Sequence, residues 1–276
     1  MSICTLDGSG GKCFDKKALI DIIDSINFYI RQQHSSKKLL NKSGNRGVLW
    51  DRIRTYYASK NKCTENGTDA EERCWLKQSE VIDNREKLEL YFKPSGPSKN
   101  RVPLYTSNIN DAMKRLEFKH KHFLFMGTVP IDFDKVIKKY ATMNLCKLVR
   151  SGYTQIGFVF NLDPSTKSGS HWVCAFVDVQ KRYIGFIDSY GMNPHKNIVS
   201  FINRLQRQAI LCLHRELEYK HNINEHQQYN TECGMYCIYF LTKLVKGVSF
   251  ERVVNTITHD KVVAEFRKHT FAGRQK

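Results

Sequence analysis

The stretch HWVCAFVDVQKRYIGFIDS at residues 171–189 decides how this chain folds. Two runs rich in β-branched and aromatic residues, 172–179 and 183–188, flank a short polar turn around Gln180 and Lys181; this is the pattern of an antiparallel hairpin. Both faces of the runs are largely apolar, which places the hairpin in the middle of a sheet. Pairing the runs puts Val173 opposite Phe186 and His171 opposite Asp188. A carboxylate bonded to one ring nitrogen fixes the imidazole tautomer and leaves the other nitrogen to take a proton. A lone histidine beside a sheet is more often structural, so a catalytic reading requires a nucleophile as well.

The next informative stretch outward is HQQYNTECGMYCIYFL at 226–241. Thr231 is expected to cap a helix over 233–245 that is apolar almost all round and therefore buried. Cys233 falls in its first turn, where unpaired backbone N–H groups and the helix dipole favour a thiolate, and Gly234 beside it permits a close approach by another backbone. Cys174, Cys212 and Cys237 sit mid-element among apolar neighbours, which suits structural thiols. Attack on a peptide carbonyl creates an oxyanion, which the Cys233 N–H and a nearby side-chain amide could hold. Gln227 and Gln228 both qualify by position.

The chain opens with helical patterns: Ala18, Leu19, Ile22, Ile23, Ile26, Tyr29 and Ile30, then Val48, Leu49, Ile53, Tyr56 and Tyr57. KNKCTENGTD at 60–69 interrupts them, a further helix is expected over about 70–77, and the turn-rich FKPSGPSKN at 92–100 marks a boundary. The expected organisation is a helical N-terminal arm, 1–91, and a core, 92–276. In the core, helices are expected over 110–118, from Pro130, from Pro194–His195 through Leu213, and from Phe250 and Asp260, with a strand over 153–160.

Length and composition set the remaining bounds. The 276 residues, 41% hydrophobic, can bury one substantial core and a smaller appended unit. No apolar run reaches the ~18 residues of a membrane span, and the N-terminus lacks a signal-peptide core, so a reducing cytosolic compartment is expected. The nine cysteines lack zinc-ribbon spacing; most are expected as free thiols, and although Cys63 and Cys74 could meet in space, no second pair stands near them to complete a metal site. The net charge of +17 predicts a surface attractive to polyanions, nucleic acid among them, although a solvated basic surface would explain it equally well.

HWVCAFVDVQKRYIGFIDSYG, followed by a Gln-containing loop and Cys-Gly opening a buried helix, resembles the cysteine-protease clan of the SUMO-processing proteases and adenain. HQxxxTECG at 226–234, FKPSGP, NINDAMKR at 108–115, VPIDFDK at 129–135 and ITHDKVVAEFRKHTF near the C-terminus resemble most the polyprotein-processing proteases of large nucleocytoplasmic DNA viruses, African swine fever virus among them. The resemblance covers about 92–276 and implies an α+β, papain-like or adenain-like core: a central mixed sheet flanked by helices, with the nucleophile at the N-terminus of a buried helix. It implies a catalytic set of His171, Asp188, Cys233 and Gln227, the last chosen because the family's oxyanion Gln stands six residues before its nucleophile. Asp188 follows the usual clan pattern; the swine fever virus enzyme has Asn there. Trp172 and Gly234 are implied at the substrate channel, which favours glycine before the cut bond. Pro103-Leu104 stands where relatives often have Trp-Leu.

The resemblance further implies a viral endopeptidase that cuts structural or core polyproteins at Gly-Gly-Xaa-like sites during virion maturation. It would work without metal or organic cofactor, as a monomer, in the host cytoplasm and the virion. The rival readings are a protease acting on ubiquitin-like or SUMO-like host conjugates, and a non-enzymatic basic core protein that binds nucleic acid.

Overall fold

A computed structural model describes residues 4, 12–33, 38–64, 68–99, 101–214 and 216–273. Glu65, Asn66 and Gly67 of the polar interruption and Asn100 of the junction lie outside the described residues. The chain divides into two compact units, Met1–Lys93 and Pro94–Lys276.

The first unit is helical: α1 (Lys16–Gln32), α2 (Arg46–Ala58), α3 (Thr68–Trp75), a 3-10 turn over Ser79–Asn84, and α4 (Arg85–Glu89). Asp15 and Asn45 cap α1 and α2 by accepting the N–H groups of Ala18 and Val48. Leu19, Ile22, Ile23, Ile26 and Ile30 of α1, spaced by three and four, share a core with Trp50, Tyr57 and Trp75. Inside it Glu72, fully buried, accepts the Cys13 N–H and the Trp50 indole N–H.

The expectation of mostly free thiols is corrected here. Cys4–Cys13, Cys63–Cys74 and, in the second unit, Cys146–Cys212 are disulfides, and only Cys174, Cys233 and Cys237 remain as thiols. Cys212 is therefore not a structural thiol. Partners 9, 11 and 66 residues apart are brought together by turns and helix packing that Cys spacing does not encode.

The second unit contains, in order, α5 (Thr106–Lys119), β1 (Phe123–Pro130), α6 (Phe133–Val136), α7 (Lys138–Ala141), α8 (Leu145–Arg150), β2 (Gln155–Asn161), β3 (Trp172–Asp178), β4 (Tyr183–Ile187), α9 (Lys196–Leu213), β5 (Glu218–His221), α10 (Cys233–Val245), α11 (Phe250–Asn255) and α12 (Asp260–Thr270). The strands form a mixed sheet in sequential order, parallel at both outer pairs and antiparallel in the middle. Alternation along β3 divides the core: Val173, Ala175 and Val177 face the layer containing α9, and Cys174 and Phe176 face the layer containing α5 and α10. His195 caps α9 by accepting the Asn197 N–H.

The hairpin register differs from the expected one by two residues: Ala175, not Val173, stands opposite Phe186. The cause is the turn. Residues 179–182 make a four-residue connection in which Arg182 takes a left-handed φ of 60° and Asp178 Oδ1 accepts the Lys181 N–H at 2.9 Å. A shift of two leaves every side chain on its expected face, so the reading of the hairpin as central survives.

Candidate active site

The C-terminal ends of β2 and β4, the N-terminal end of β3 and the first turn of α10 meet at one end of the sheet. His171 directly precedes β3 and Asp188 directly follows β4. Their side chains join through Nε2 and Oδ1 at 2.8 Å despite the altered register. Asp188 is buried and held on several sides: its N–H donates to Asn222 Oδ1 at 2.9 Å, its carbonyl accepts from Asn222 Nδ2 at 2.6 Å, and its Oδ1 also accepts the Tyr190 N–H at 2.8 Å. With Nε2 committed, Nδ1 is the ring nitrogen left to take a proton, and Cys233 is near enough to favour the protonated ring. Burial disfavours the imidazolium, but the bonds to Asp188 and Cys233 and their charges outweigh it and raise the His171 pKa to about 9. The Tyr190 ring lies 5.0 Å from the imidazole, inclined at 31°.

Cys237, one turn further along α10, provides the contrast. Burial first, then its neighbours Cys174 and Cys233, push its thiol well above the usual range, so it stays a protonated core side chain. Cys233 alone among the three thiols lines an open cleft.

That cleft, of about 600 Å³, is bounded by Leu104, Asn161, Ser170, Trp172, Thr231 and Cys233 among others. The Trp172 indole donates to the Leu104 carbonyl at 3.1 Å, so Pro103-Leu104 and Trp172 together build one wall. Gly234 is buried behind that wall. A Cβ there would come within 3.1 Å of Leu104 Cβ and 3.3 Å of both Ile109 Cδ1 and Trp172 Cδ1. Its missing side chain lets the wall close on α10, and it is Trp172 that faces the cleft. Gly169, at φ +96°, turns the loop over Asn161 Nδ2, which a Cβ would meet at 2.5 Å.

Gln227 is fully buried against Ser189 and Tyr190, just after Asp188. Its Oε1 accepts the Ser189 hydroxyl at 2.7 Å, and its Nε2 donates to the Tyr229 carbonyl and, at 3.2 Å, to the Tyr190 hydroxyl. Gln228 instead uses its backbone N–H, donated to Asp260. Thr231 does not cap α10: the N-cap residue is Glu232, and among the described residues the Thr231 hydroxyl has no hydrogen-bond partner. The 230–233 turn carries the chain into the helix one residue later than the Ser/Thr rule expects. Tyr190, Asn222, Glu232 and Asp260 were not singled out by sequence; each acts through a fold-dependent contact, and only the proximity of Tyr190 to Asp188 in the chain offered any signal.

Residues 156–273 match the model of the Ulp1 protease family, C-terminal catalytic domain. A thiol protease of Acanthamoeba polyphaga mimivirus is 33% identical over 165 residues, 59% of this chain and 55% of that protein, so the chain spans little more than half of that relative's length. A SUMO-1 cysteine protease of African swine fever virus is 27% identical over 209 residues, 70% of this chain and 77% of the viral protein. The crystal structure of the African swine fever virus protease superposes with a TM-score of 0.64 at 21% identity, covering 87% of this chain and 95% of the other, and shares the fold. Residues 156–273 thus resemble the catalytic domain of the Ulp1 protease family, and the chain is similar to cysteine proteases of two large viruses.

Proposed function

We propose that this chain is a viral endopeptidase in which Cys233 is the nucleophile, His171 the general base and acid, Asp188 the group that orients the imidazole, and Gln227 an oxyanion donor. The observation that supports it best is that one imidazole, bonded to a buried carboxylate, feels the Cys233 thiol, which lines a cleft. The Cys233 sulfur attacks the scissile carbonyl as its proton goes to His171; the carbonyl C–O π pair moves to oxygen, where backbone N–H groups and the Gln227 amide receive it. Gln227 must exchange one of its two present Nε2 contacts to do so. Collapse of the intermediate breaks the C–N bond, and the imidazolium gives its proton to the leaving amine. Water, deprotonated by the same imidazole, then releases the acyl group from sulfur.

The substrate reading is glycine before the cut bond in structural or core polyproteins, cleaved during virion maturation at assembly sites in the host cytoplasm and in the particle. The place of Leu104 and Trp172 on the cleft beside Cys233 supports it, since the resemblance implies that Trp172 helps form the channel that takes glycine. Replacing Cys233 by Ala should abolish cleavage of Gly-Gly-Xaa peptides in a protein of unchanged fold; residual turnover at the wild-type rate would sink the scheme. The name of the swine fever virus relative favours a second reading, a protease of SUMO-like conjugates. Parallel digestion of modifier conjugates and viral core precursors distinguishes the two by which is cut at limiting enzyme.

Nucleic acid is the proposed partner besides polypeptide, with the enzyme a monomer. Of the +17 net charge, the second unit supplies +13, from 27 Lys and Arg against 14 Asp and Glu. Lys121, Arg150, Lys181 and Arg182 lie exposed at the end of the sheet opposite Cys233, around the start of β2 and the β3–β4 turn. A surface placed there would hold a polyanion without obstructing the cleft, and its binding would weaken steeply with salt. Mobility shifts of duplex DNA that are unaffected when these four are replaced by Ala would count against it.

A further inference from the structure

Glu232, immediately before the nucleophile, is a buried carboxylate that does not cap its own helix. It turns to Arg267 of α12, which is fully buried and donates to Glu232 Oε2 from Nη2 at 2.6 Å and from Nε at 3.2 Å. The other oxygen, Oε1, accepts the backbone N–H of Arg101 at 2.7 Å, and the remaining arm of Arg267 donates from Nη1 to the Pro97 carbonyl at 3.2 Å. One ion pair therefore ties three elements together: the residue that starts α10, the C-terminal helix, and the 97–101 segment that runs into Leu104 of the cleft wall.

The same helix holds the loop upstream. Asp260 Oδ2 accepts the N–H groups of Gln228 and Tyr229 at 3.1 and 3.0 Å, and its Oδ1 accepts the Tyr236 hydroxyl at 2.9 Å. Both ends of the 228–232 turn are thus pinned to α12, seven residues apart along it.

Fold stability is a weak explanation for the Glu232–Arg267 pair. Desolvation of two buried charges consumes most of their attraction, and apolar residues of similar size commonly do as well. A carboxylate one residue from a thiolate is also electrostatically adverse unless it is neutralised. What the pair supplies that apolar packing does not is direction: a forked donor and a two-oxygen acceptor fix the angle of the first turn of α10.

We infer that Glu232 and Arg267 are positioning residues for the peptidase reaction, holding the Cys233 sulfur in reach of His171 and the Leu104 wall opposite it. The inference rests on the reading of Cys233 as nucleophile. The test compares wild type, R267M, R267K, the double variant E232Q/R267M, and C233A as control. Four quantities are measured on each: Tm, kcat and KM on a Gly-Gly-Xaa peptide, and the rate of Cys233 alkylation by iodoacetamide followed by mass mapping.

R267M is expected to lower kcat and the alkylation rate together by about tenfold or more, with KM changed less than about threefold, the split that marks a loss felt by the reacting group. R267K, which keeps the charge but loses the fork, should recover part of both. In the double variant the Tm should return toward wild type because no charge is left buried alone, while kcat stays depressed. If kcat and alkylation in the double variant recover in step with Tm, or if folded R267M reacts at the wild-type rate, the positioning role is overturned. The double variant answers the question even where R267M does not fold. Full activity or continued active-site labelling in C233A would overturn the nucleophile assignment instead, so the two failures are distinguishable.

Discussion

Two buried carboxylates, Glu72 in the first unit and Asp188 in the second, accept N–H donors from indole, backbone or imidazole and look alike as isolated features. Glu72 takes the Cys13 N–H and the Trp50 indole N–H, and burial still raises its pKa to about 7 against those bonds and the nearby Arg46. Asp188 takes the Tyr190 N–H and an imidazole that can itself gain or lose a proton, and beyond that imidazole stands a thiol at a cleft. Burial of an acid is thus shared by both regions and identifies neither. What separates them is whether the partner can titrate and reach a further group. Glu72 ends in donors that stay donors, whereas Asp188 opens a path that ends at Cys233.

The largest expected effect breaks the Asp188 side of the comparison. Asp188→Ala frees the imidazole to rotate and removes its partner on Nε2, and kcat/KM should fall by on the order of 10² to 10⁴, the range seen when a base loses its orienting group. Asp188→Asn keeps an oxygen able to accept the Nε2–H and should lose much less, about tenfold. A D188N enzyme as inactive as D188A would mean that the negative charge, and not the hydrogen bond, is what the site requires. Steady-state kinetics on one peptide suffice.

A smaller effect sharpens the comparison through pH. The His171 pKa is raised above its usual 6.5 to about 9. The stabilisation from its imidazolium contacts is therefore complete below about pH 6.5 and disappears as pH rises through about 9. The alkaline limb of kcat/KM should follow, falling up to tenfold per unit above that point. Histidine NMR should show the His171 midpoint lowered in C233A, which removes one raising partner, and lowered further in D188A. A midpoint near 6.5 in the wild type would refute the coupled site.

Much of this second region was legible in residues 171–189 and 226–245 because the chemistry there coincides with strong local patterns. The limits of α10 follow from a run that is apolar almost all round, and the faces of β3 and β4 follow from composition alone. The register did not, because a four-residue turn and a two-residue turn read alike when the turn residues are Gln, Lys and Arg. β1 was missed although Phe123 to Met126 is an apolar run, and β5, the polar edge strand EYKH, carries no strand signal. The clamp of Glu232 on Arg267 spans 35 residues and the Asp188–Asn222 contact 34, separations at which no periodicity reaches. Glu72 was illegible for the same reason: its burial depends on Cys13 and Trp50, far apart in the chain.

The smallest effect on catalysis should come from Glu72, and there the comparison is decided by stability. Its carboxyl is raised from about 4.5 to about 7 by burial, so the folded unit binds this proton more tightly than the unfolded chain does. The resulting stabilisation is fully present below about pH 4.5 and lost as pH rises through about 7, amounting to roughly 3 kcal/mol at most. Other carboxylates contribute with the opposite sign, so the readable quantity is the difference between wild type and Glu72→Gln across pH 5 to 8. The substituted amide carries its own constant cost, a donor turned toward donors, but no proton to lose. The difference in unfolding free energy should therefore shrink as pH rises, by about 1 to 3 kcal/mol, while kcat on peptide stays within twofold. A pH-independent difference would show that Glu72 is ionised throughout, held by Arg46 and the N–H groups of Cys13 and Trp50. The two carboxylates would then differ only in what lies beyond them.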